Sequence, residues 1–462
     1  MMLERAPTPY DDKIYSPAWH AWRDPHIPVS IDPIEALVGR HLGASAQNKT
    51  AIIADGERVS YRELSDRIAQ YAGALAAAGL APEQRMLLFG TDSLDYVTAW
   101  LGAVRLGAVP VVVSDLYKAK DLLYFLTDTA VRLLFIDSEQ VPKFLEVADD
   151  LPSSLKTVVV RGETVEVARR CPRQSVIALP AALAASTATA AYRRHPDDVT
   201  YMFYSGGTTG TAKGITHLAH DFLIVPARHG ALWEYSAGDV VFATSKKYFT
   251  HGVWPGLLIP LAFGATVVLD RRPPTPDVVI ANLRAHGVTK LVTVPTVLKN
   301  IIEHLTKFGE AANCPRLKFV VSASEKMPPE MFERFHELFG VELHDSIGSS
   351  EITYEWIVNT PGDFKRGSLG KPVYGCEVRL IAPDGSDSDM YAWDDFMLPT
   401  TQTITEVRWR GGYAYGAVYG HVNDFKISFF DSIAGGFQPL IVALPEDGDL
   451  EVTIATFQTG NS

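Results

Sequence analysis

Short apolar runs alternate with longer stretches in which apolar residues recur every three or four positions, and this rhythm occupies most of the chain. Ser60-Tyr61-Arg62-Glu63 has the S-x-x-E form of a capping box, in which side chains and backbone at a helix start satisfy each other. Leu64, Ile68, Tyr71, Ala72 and Leu75 follow at helical spacing, and Gly79 is a natural stop. Strand-length runs come next at Met86–Phe89, Val109–Val113 and Leu133–Ile136. Helical periodicity separates them, around Tyr96, Trp100 and Val104 and again from Leu122 to Leu126. An apolar run that does not alternate is a strand covered on both faces, so the rhythm predicts an α/β fold of parallel sheets flanked by helices.

The rhythm pauses in a polar, Ala-rich connection at residues 172–196 and resumes with strand candidates at Val240–Ala243, Thr266–Leu269, Leu291–Val294 and Phe319–Val321. Two α/β subdomains account for this, 50–185 and 186–385, after an N-terminal extension at 1–49. Beyond Gly385 the pattern changes. Ile404–Trp409, Phe425–Phe429 and Leu450–Ile454 are short, partly alternating and set between the turn signals Gly411-Gly412, Gly435-Gly436 and Asp447-Gly448. Residues 386–462 therefore read as a separate β-rich segment.

Composition narrows the function. With 47% hydrophobic and 21% charged residues the chain is a folded protein, far from the low-hydrophobicity signature of disorder. A formal net charge of −12 argues against a duplex nucleic-acid partner, because neutralising phosphates takes surplus Lys and Arg. A small-molecule substrate fits better. The cysteines, Cys171, Cys314 and Cys376, form no CxxC and no zinc-site spacing, and read as buried free thiols. Met1–Trp22 lacks the apolar core of a signal peptide, and no run of 18 apolar residues occurs, so a membrane span is not expected and a cytoplasmic location is.

The most informative stretch is Tyr204-Ser-Gly-Gly-Thr-Thr-Gly-Thr-Ala-Lys-Gly214, which follows the strand candidate Val199–Phe203 and is expected to precede a helix. Gly206, Gly207 and Gly210 let the backbone turn sharply and aim N–H groups inward. Ser205, Thr208, Thr209 and Thr211 add hydroxyl donors, and Lys213 a full positive charge. Such a set suits a polyphosphate. It is not a Walker A loop, where Lys directly follows Gly, because Ala212 precedes Lys213.

This loop resembles the signature of the adenylate-forming superfamily of acyl-CoA synthetases, peptide-synthetase adenylation domains and luciferases. Two further blocks agree. Asp345-Ser-Ile-Gly-Ser-Ser-Glu351 resembles the superfamily's second nucleotide motif, and Asn359–Asp363 with Gly367–Gly375 resembles the segment after it. Within the superfamily the chain is most similar to benzoate-type CoA ligases, through His217–Asp221, Tyr248-Phe-Thr-His-Gly252 and Asn359–Asp363.

The resemblance implies ATP, Mg²⁺ and CoA as reactants and cofactor, and a carboxylic acid, aromatic by the benzoate likeness, as substrate. Thr208, Thr209 and Lys213 would hold the β- and γ-phosphates, Glu351 the Mg²⁺, and Ser350 the α-phosphate; Lys213, Thr209 and Glu351 carry the catalysis. Ser322-Ala323-Ser324-Glu325 and Asp345-Ser346-Ile347-Gly348 would border the adenine. The superfamily more often has Gly at Ser324 and Ser346, so a positive φ there would carry a backbone cost. Phe249, Thr250, His251, Gly252 and Tyr354, with Trp254, would enclose the acid, His251 and Thr250 being able to hydrogen-bond a ring hydroxyl or amine.

Superfamily members continue into a small mobile domain with an Asp for the ribose, an Arg/Asp hinge and a late Lys. The corresponding Thr-Gly-Asp and Gly-Arg-x-Asp segments do not follow Ala382–Gly385, and Lys426, the tail's lysine, sits in an alternating strand pattern. Three readings follow: an aryl-acid CoA ligase, an adenylating enzyme that delivers to a carrier-protein thiol, and a binding protein of impaired turnover. A homodimer is admitted as a partner state.

Overall fold

The first long helix starts as its sequence predicts. Ser60 Oγ accepts from the Glu63 amide at 3.2 Å while the Glu63 carboxylate accepts from the Ser60 amide at 2.7 Å, opening α1 (Tyr61–Ala77). Gly79, at φ 88°, takes the left-handed conformation that ends it. The computed structural model describes residues 27–205, 212–325, 327–374, 376, 428–433 and 436–441. The chain divides into two compact units, Met1–Cys376 and Glu377–Ser462.

In the first unit one sheet has seven strands: β3 (Arg85–Phe89), β4 (Val109–Val112), β5 (Leu133–Asp137), β6 (Thr157–Arg161), β7 (Ser175–Ala178), β8 (Val199–Ser205) and β9 (Lys213–Leu218). Their order is β7-β6-β5-β3-β4-β8-β9, parallel throughout except for the antiparallel β8–β9 pair. A nine-stranded sheet takes β1 (Thr50–Ala54), β2 (Glu57–Ser60), β10 (Val240–Ala243), β11 (Thr266–Val268), β12 (Lys290–Thr293), β13 (Phe319–Ser322), β14 (Leu343–Gly348), β15 (Glu355–Val358) and β16 (Lys371–Pro372). Its order is β16-β15-β14-β13-β12-β10-β11-β1-β2. The two sheets thus cross the sequence boundary expected near residue 185 in both directions, residues 50–60 joining the later strands and 199–218 the earlier ones.

Alternate residues of the central strands enter different cores. Met86 and Leu88 join a cluster that also holds Phe203, Val267 and Val292, with Trp100 and Val104 of α2 (Leu94–Leu106), and so ties the two sheets together. Leu87 and Phe89 point the other way, onto α3 (Ala119–Asp128) through Leu122 and Phe125. In the second sheet Val267 and Val321 join the shared core. Their neighbours Val268 and Val320 pack with Leu283, Ile301 and Phe335 of α4 (Pro276–Ala285), α5 (Pro295–Phe308) and α6 (Pro329–Phe339). Burial on both faces is why these strands carry no alternation. Each such side chain contributes about 1.5–3 kcal/mol.

Both sheets reverse their winding at an equivalent place, β4 and β5 flanking β3 in one and β11 and β12 flanking β10 in the other. Ligands of open α/β sheets bind at the carboxyl ends of the strands beside such a reversal. In the seven-stranded sheet that end is filled by the other sheet's side chains. Lys247 Nζ lies 3.1 Å from Asp92 Oδ2, each 2% exposed, and Tyr248 Oη donates to Asp115 at 2.9 Å. The corresponding end of the nine-stranded sheet carries the candidate site.

In the second unit, β17 (Ser428–Ile433) and β18 (Gly436–Ile441) pair antiparallel. The expected strand Phe425–Phe429 overlaps β17 at Ser428 and Phe429. Those expected at Ile404–Trp409 and Leu450–Ile454 lie outside the described residues.

Candidate active site

The Gly/Thr stretch connects two antiparallel strands, not a strand and a helix. Ser205 of β8 pairs in register with Lys213 of β9, so they stand opposite each other at the base of the loop. The helical expectation fails because residues 213–218 are stabilised across the hairpin: His217 is buried and stacks on Tyr201 of the partner strand, ring centroids 4.6 Å apart and 9° from coplanar. Cross-strand pairs of this kind outweigh local helical preference. Gly206, Gly207, Thr208, Thr209, Gly210 and Thr211 lie outside the described residues. At the loop's far end the Ala212 carbonyl accepts from Tyr124 Oη of α3 at 2.9 Å, and Lys213 is exposed.

Facing this base, from the other sheet, is the turn after β14. Ser350–Ile352 forms one turn of 3₁₀ helix, and Glu351 Oε1 accepts a hydrogen bond from Ser205 Oγ at 3.2 Å. The residue before the phosphate loop and the acidic residue of the second motif, 146 positions apart, are therefore neighbours. Gly348 is required here, since a Cβ would stand 2.5 Å from the Tyr354 carbonyl oxygen. Thr353 closes the turn at φ 76° and ψ −51°, with the Tyr354 amide donating to the Ile352 carbonyl at 2.9 Å. That is the rarer, strained form of γ-turn.

The segment expected to enclose the acid leads into the helical residues 250–262. Phe249 is 52% exposed, and Thr250 Oγ1 lies 3.4 Å from Ser350 Oγ, which puts this segment beside Glu351. Gly252 is buried so closely that a Cβ would meet the Lys246 carbonyl oxygen at 2.1 Å. His251 sits at the winding reversal of the nine-stranded sheet. Its Nε2 is 2.8 Å from the Thr293 carbonyl, and its Nδ1 is 3.1 Å from both Tyr354 Oη and Glu355 Oε1. Both ring nitrogens are thus engaged within the chain, which leaves Thr250 as the segment's hydroxyl nearest the Glu351 turn. Burial and the adjacent Glu355 carboxylate raise the Tyr354 phenol well above its ordinary range, so it stays protonated. Trp254 is fully buried between Tyr201 and Phe222, a core residue.

Ser322, at the carboxyl end of β13, is buried, as is Ala323. Ser324 is exposed at φ 76°, the left-handed conformation in which glycine has no steric cost. Glu325 Oε2 accepts from the amide and hydroxyl of Thr296, at 3.2 and 2.6 Å, and so caps α5. Ser346 lies in β14 with its Oγ donating to the Ser322 carbonyl at 3.1 Å. Asp345 beside it is buried, and burial, helped by Glu355, pushes its carboxyl up to about 7. Ile347 is half-buried and Gly348 exposed, next to Glu351.

Sequence reasoning gave no role to three groups in this region. Asp221, quoted only as part of a resemblance, is a buried acceptor for groups from three segments. Glu355 is 3% exposed against His251, and an acidic residue directly after Tyr354 was the signal available in the sequence. Asn359 clamps the third block, donating to the carbonyls of Asp345 and Ser368 at 2.8 and 2.7 Å and accepting from the Lys365 amide at 3.2 Å.

Both the sequence and the fold match known proteins. A family model described as AMP-binding enzyme matches residues 40–389. A benzoate–CoA ligase of Thauera aromatica is 34% identical over 365 residues, covering 78% of this chain and 67% of the relative. A 3-hydroxybenzoate/4-hydroxybenzoate–CoA ligase of the same organism is 32% identical over 359 residues, with coverages of 78% and 67%. The crystal structure of the anthranilate CoA ligase AuaEII in complex with anthranoyl-AMP superposes with a TM-score of 0.71 at 28% identity, over 77% of this chain and 67% of that one. The chain therefore spans about two thirds of the length of these relatives. Its motifs, its paired sheets and these matches together make it a member of the AMP-binding, adenylate-forming enzyme family.

Proposed function

We propose that the chain activates an aryl carboxylic acid with ATP, forming an acyl-adenylate that is passed to the thiol of CoA. The observation that carries this is the contact of Ser205 with Glu351, beside Thr250 and Ser350. It sets the base of the phosphate loop, the acidic residue and the acid segment around one point, as adenylation requires. An acid oxygen attacks the α-phosphorus, the bond to the β-phosphate oxygen breaks, and pyrophosphate leaves. In the second step the CoA sulfur attacks the acyl carbon and AMP leaves.

The roles follow the chemistry. Thr208, Thr209 and Lys213 hold the β- and γ-phosphates and stabilise charge on the leaving pyrophosphate. Ser205 and the glycines Gly206, Gly207 and Gly210, with Thr211, shape the loop. Ser350 donates to the α-phosphate. Ser322–Glu325 and Asp345–Gly348 border the adenine. Phe249, Thr250, His251, Gly252 and Tyr354 form the acid pocket.

Magnesium is commonly held by one or two carboxylates together with phosphates and water. Glu351, an exposed carboxylate with a hydroxyl beside it, fits that use. Bound there, the ion would offset repulsion between the acid and the polyphosphate.

The aryl preference rests on the names of the relatives and on the aromatic lining. No helix among the described residues is long and apolar enough to cross a membrane, and a cytoplasmic location accords with the nucleotide substrates. Acid-dependent exchange of pyrophosphate into ATP, measured with a panel of aryl and fatty acids, tests the first step. Exchange with aryl acids is expected; ATP binding without exchange for any acid would reject adenylation. Hydroxylamine trapping with and without CoA or a carrier protein then separates the acceptors.

A further inference from the structure

Glu351 is followed within two residues by a backbone conformation that β-branched side chains avoid. Thr353, at φ 76° and ψ −51°, is the middle residue of its γ-turn. Such outliers persist only where the surroundings over-determine them. The surrounding group here is Asp221, 6% exposed, whose Oδ2 accepts from Thr353 Oγ1 at 3.1 Å.

The same oxygen accepts from Tyr201 Oη at 3.3 Å and from the Leu218 amide at 3.4 Å, and His217 Nδ1 stands 3.4 Å away. Tyr201 belongs to β8; His217 and Leu218 belong to β9. These strands are the two legs of the hairpin whose tip is the phosphate loop. One buried carboxylate thus ties both legs to the Glu351 turn on the other sheet. The second tie, Ser205 to Glu351, involves the very group that a cation would recruit.

We propose that Asp221 and Thr353 form a brace that sets Glu351 against the base of the phosphate loop, making both positioning residues for the magnesium nucleotide. The inference rests on the reading of Glu351 as the contact to Mg²⁺. Neither residue is assigned a contact with the nucleotide. Their effect passes through the turn: with the hydroxyl gone, the strained conformation has no anchor, and Glu351 samples positions away from the loop.

Three variants of the full chain test this: Thr353→Val removes the hydroxyl, Thr353→Ser keeps it, and Thr353→Gly removes it while relaxing the backbone. Dissociation constants for ATP with and without Mg²⁺ would be measured by calorimetry, alongside thermal unfolding. Thr353→Val and Thr353→Gly should weaken Mg-ATP about tenfold or more, and Thr353→Ser by less than about twofold. The loss should be smaller for ATP without Mg²⁺. Thr353→Gly should melt close to the parent, because relief of the positive φ offsets the lost hydrogen bond to Asp221. Unchanged Mg-ATP binding in Thr353→Val, losses that simply follow melting temperature, or a parent chain that does not bind Mg-ATP would overturn the brace. Mg-ATP binding by the parent without acid-dependent exchange is a failure of the adenylation reading alone, because the brace is read from binding.

Discussion

Ser324 and Ser346 both stand where the superfamily more often has glycine, yet their physics is opposite. Ser324 is held at φ 76°, so its Cβ carries a steric cost of about 1 kcal/mol. Ser346 lies in extended strand, and its hydroxyl makes a buried hydrogen bond to the Ser322 carbonyl. Ser324→Gly should therefore raise stability in urea by about 1 kcal/mol, while Ser346→Ala should lower it by about 1 kcal/mol. The sequence could pose the question of backbone cost at both positions, but φ is decided by loop closure and strand pairing, which no single residue records. Asp345 makes a second prediction. Burial first, then Glu355, raises its carboxyl to about 7, against about 3.9 in an unfolded chain. Between those values the folded chain holds a proton that the unfolded chain has released. The group's contribution to stability is thus complete below the window and is lost as pH rises through it. Asp345→Asn, neutral at every pH, should gain in melting temperature on the parent between pH 5 and pH 8. An equal difference at both pH values would contradict the shift.

At the scale of elements, most strands and long helices were legible because burial on two faces writes itself into the sequence as unbroken apolar runs. Leu87 and Leu88 are adjacent yet enter different cores, which is what the run Met86–Phe89 encodes. The strand after the phosphate loop was not legible. It buries one polar residue, His217, and exposes or half-exposes the rest, so its stability comes from pairing with β8. The residues proposed for the acid pocket stand together as one segment in the sequence, but their internal partners leave no such trace. His251 is consumed by Thr293 and Glu355, which approach it from strands 42 and 104 positions away. Gly252 beside it lets the helical segment close onto the loop that precedes it. Gly252→Ala would press a methyl group against the Lys246 and Ser245 carbonyl oxygens, 2.1 and 2.4 Å away. Overpacking of this kind costs about 1–3 kcal/mol. Urea unfolding should show that loss, and a midpoint equal to the parent's would mean that the segment yields.

At the scale of the first unit, the two sheets share one core and meet through the carboxyl end of β3. Linear reading expected a division near residue 185, whereas the chain threads each sheet from both sides of that point. Which strands pair across such distances is set by tertiary packing, and an apolar run carries no label for its partner. The buried Lys247–Asp92 pair joins the sheets directly. Lys247→Met would leave the buried Asp92 with the residue-247 amide but without its ammonium partner, at a cost of about 3–5 kcal/mol. The double variant Asp92→Asn, Lys247→Met should recover much of this, and failure to recover would show that the pair does more than neutralise itself. The join matters because it fixes one sheet's β8–β9 hairpin, proposed to hold phosphate, against the other sheet's Glu351. The measurement that tests this convergence most directly is acid-dependent ATP–pyrophosphate exchange in Glu351→Gln across a range of Mg²⁺ concentrations. A fall of about 100-fold, with the Mg²⁺ requirement moved to higher concentration, is the expected result; exchange within about twofold of the parent at every Mg²⁺ concentration would contradict the account.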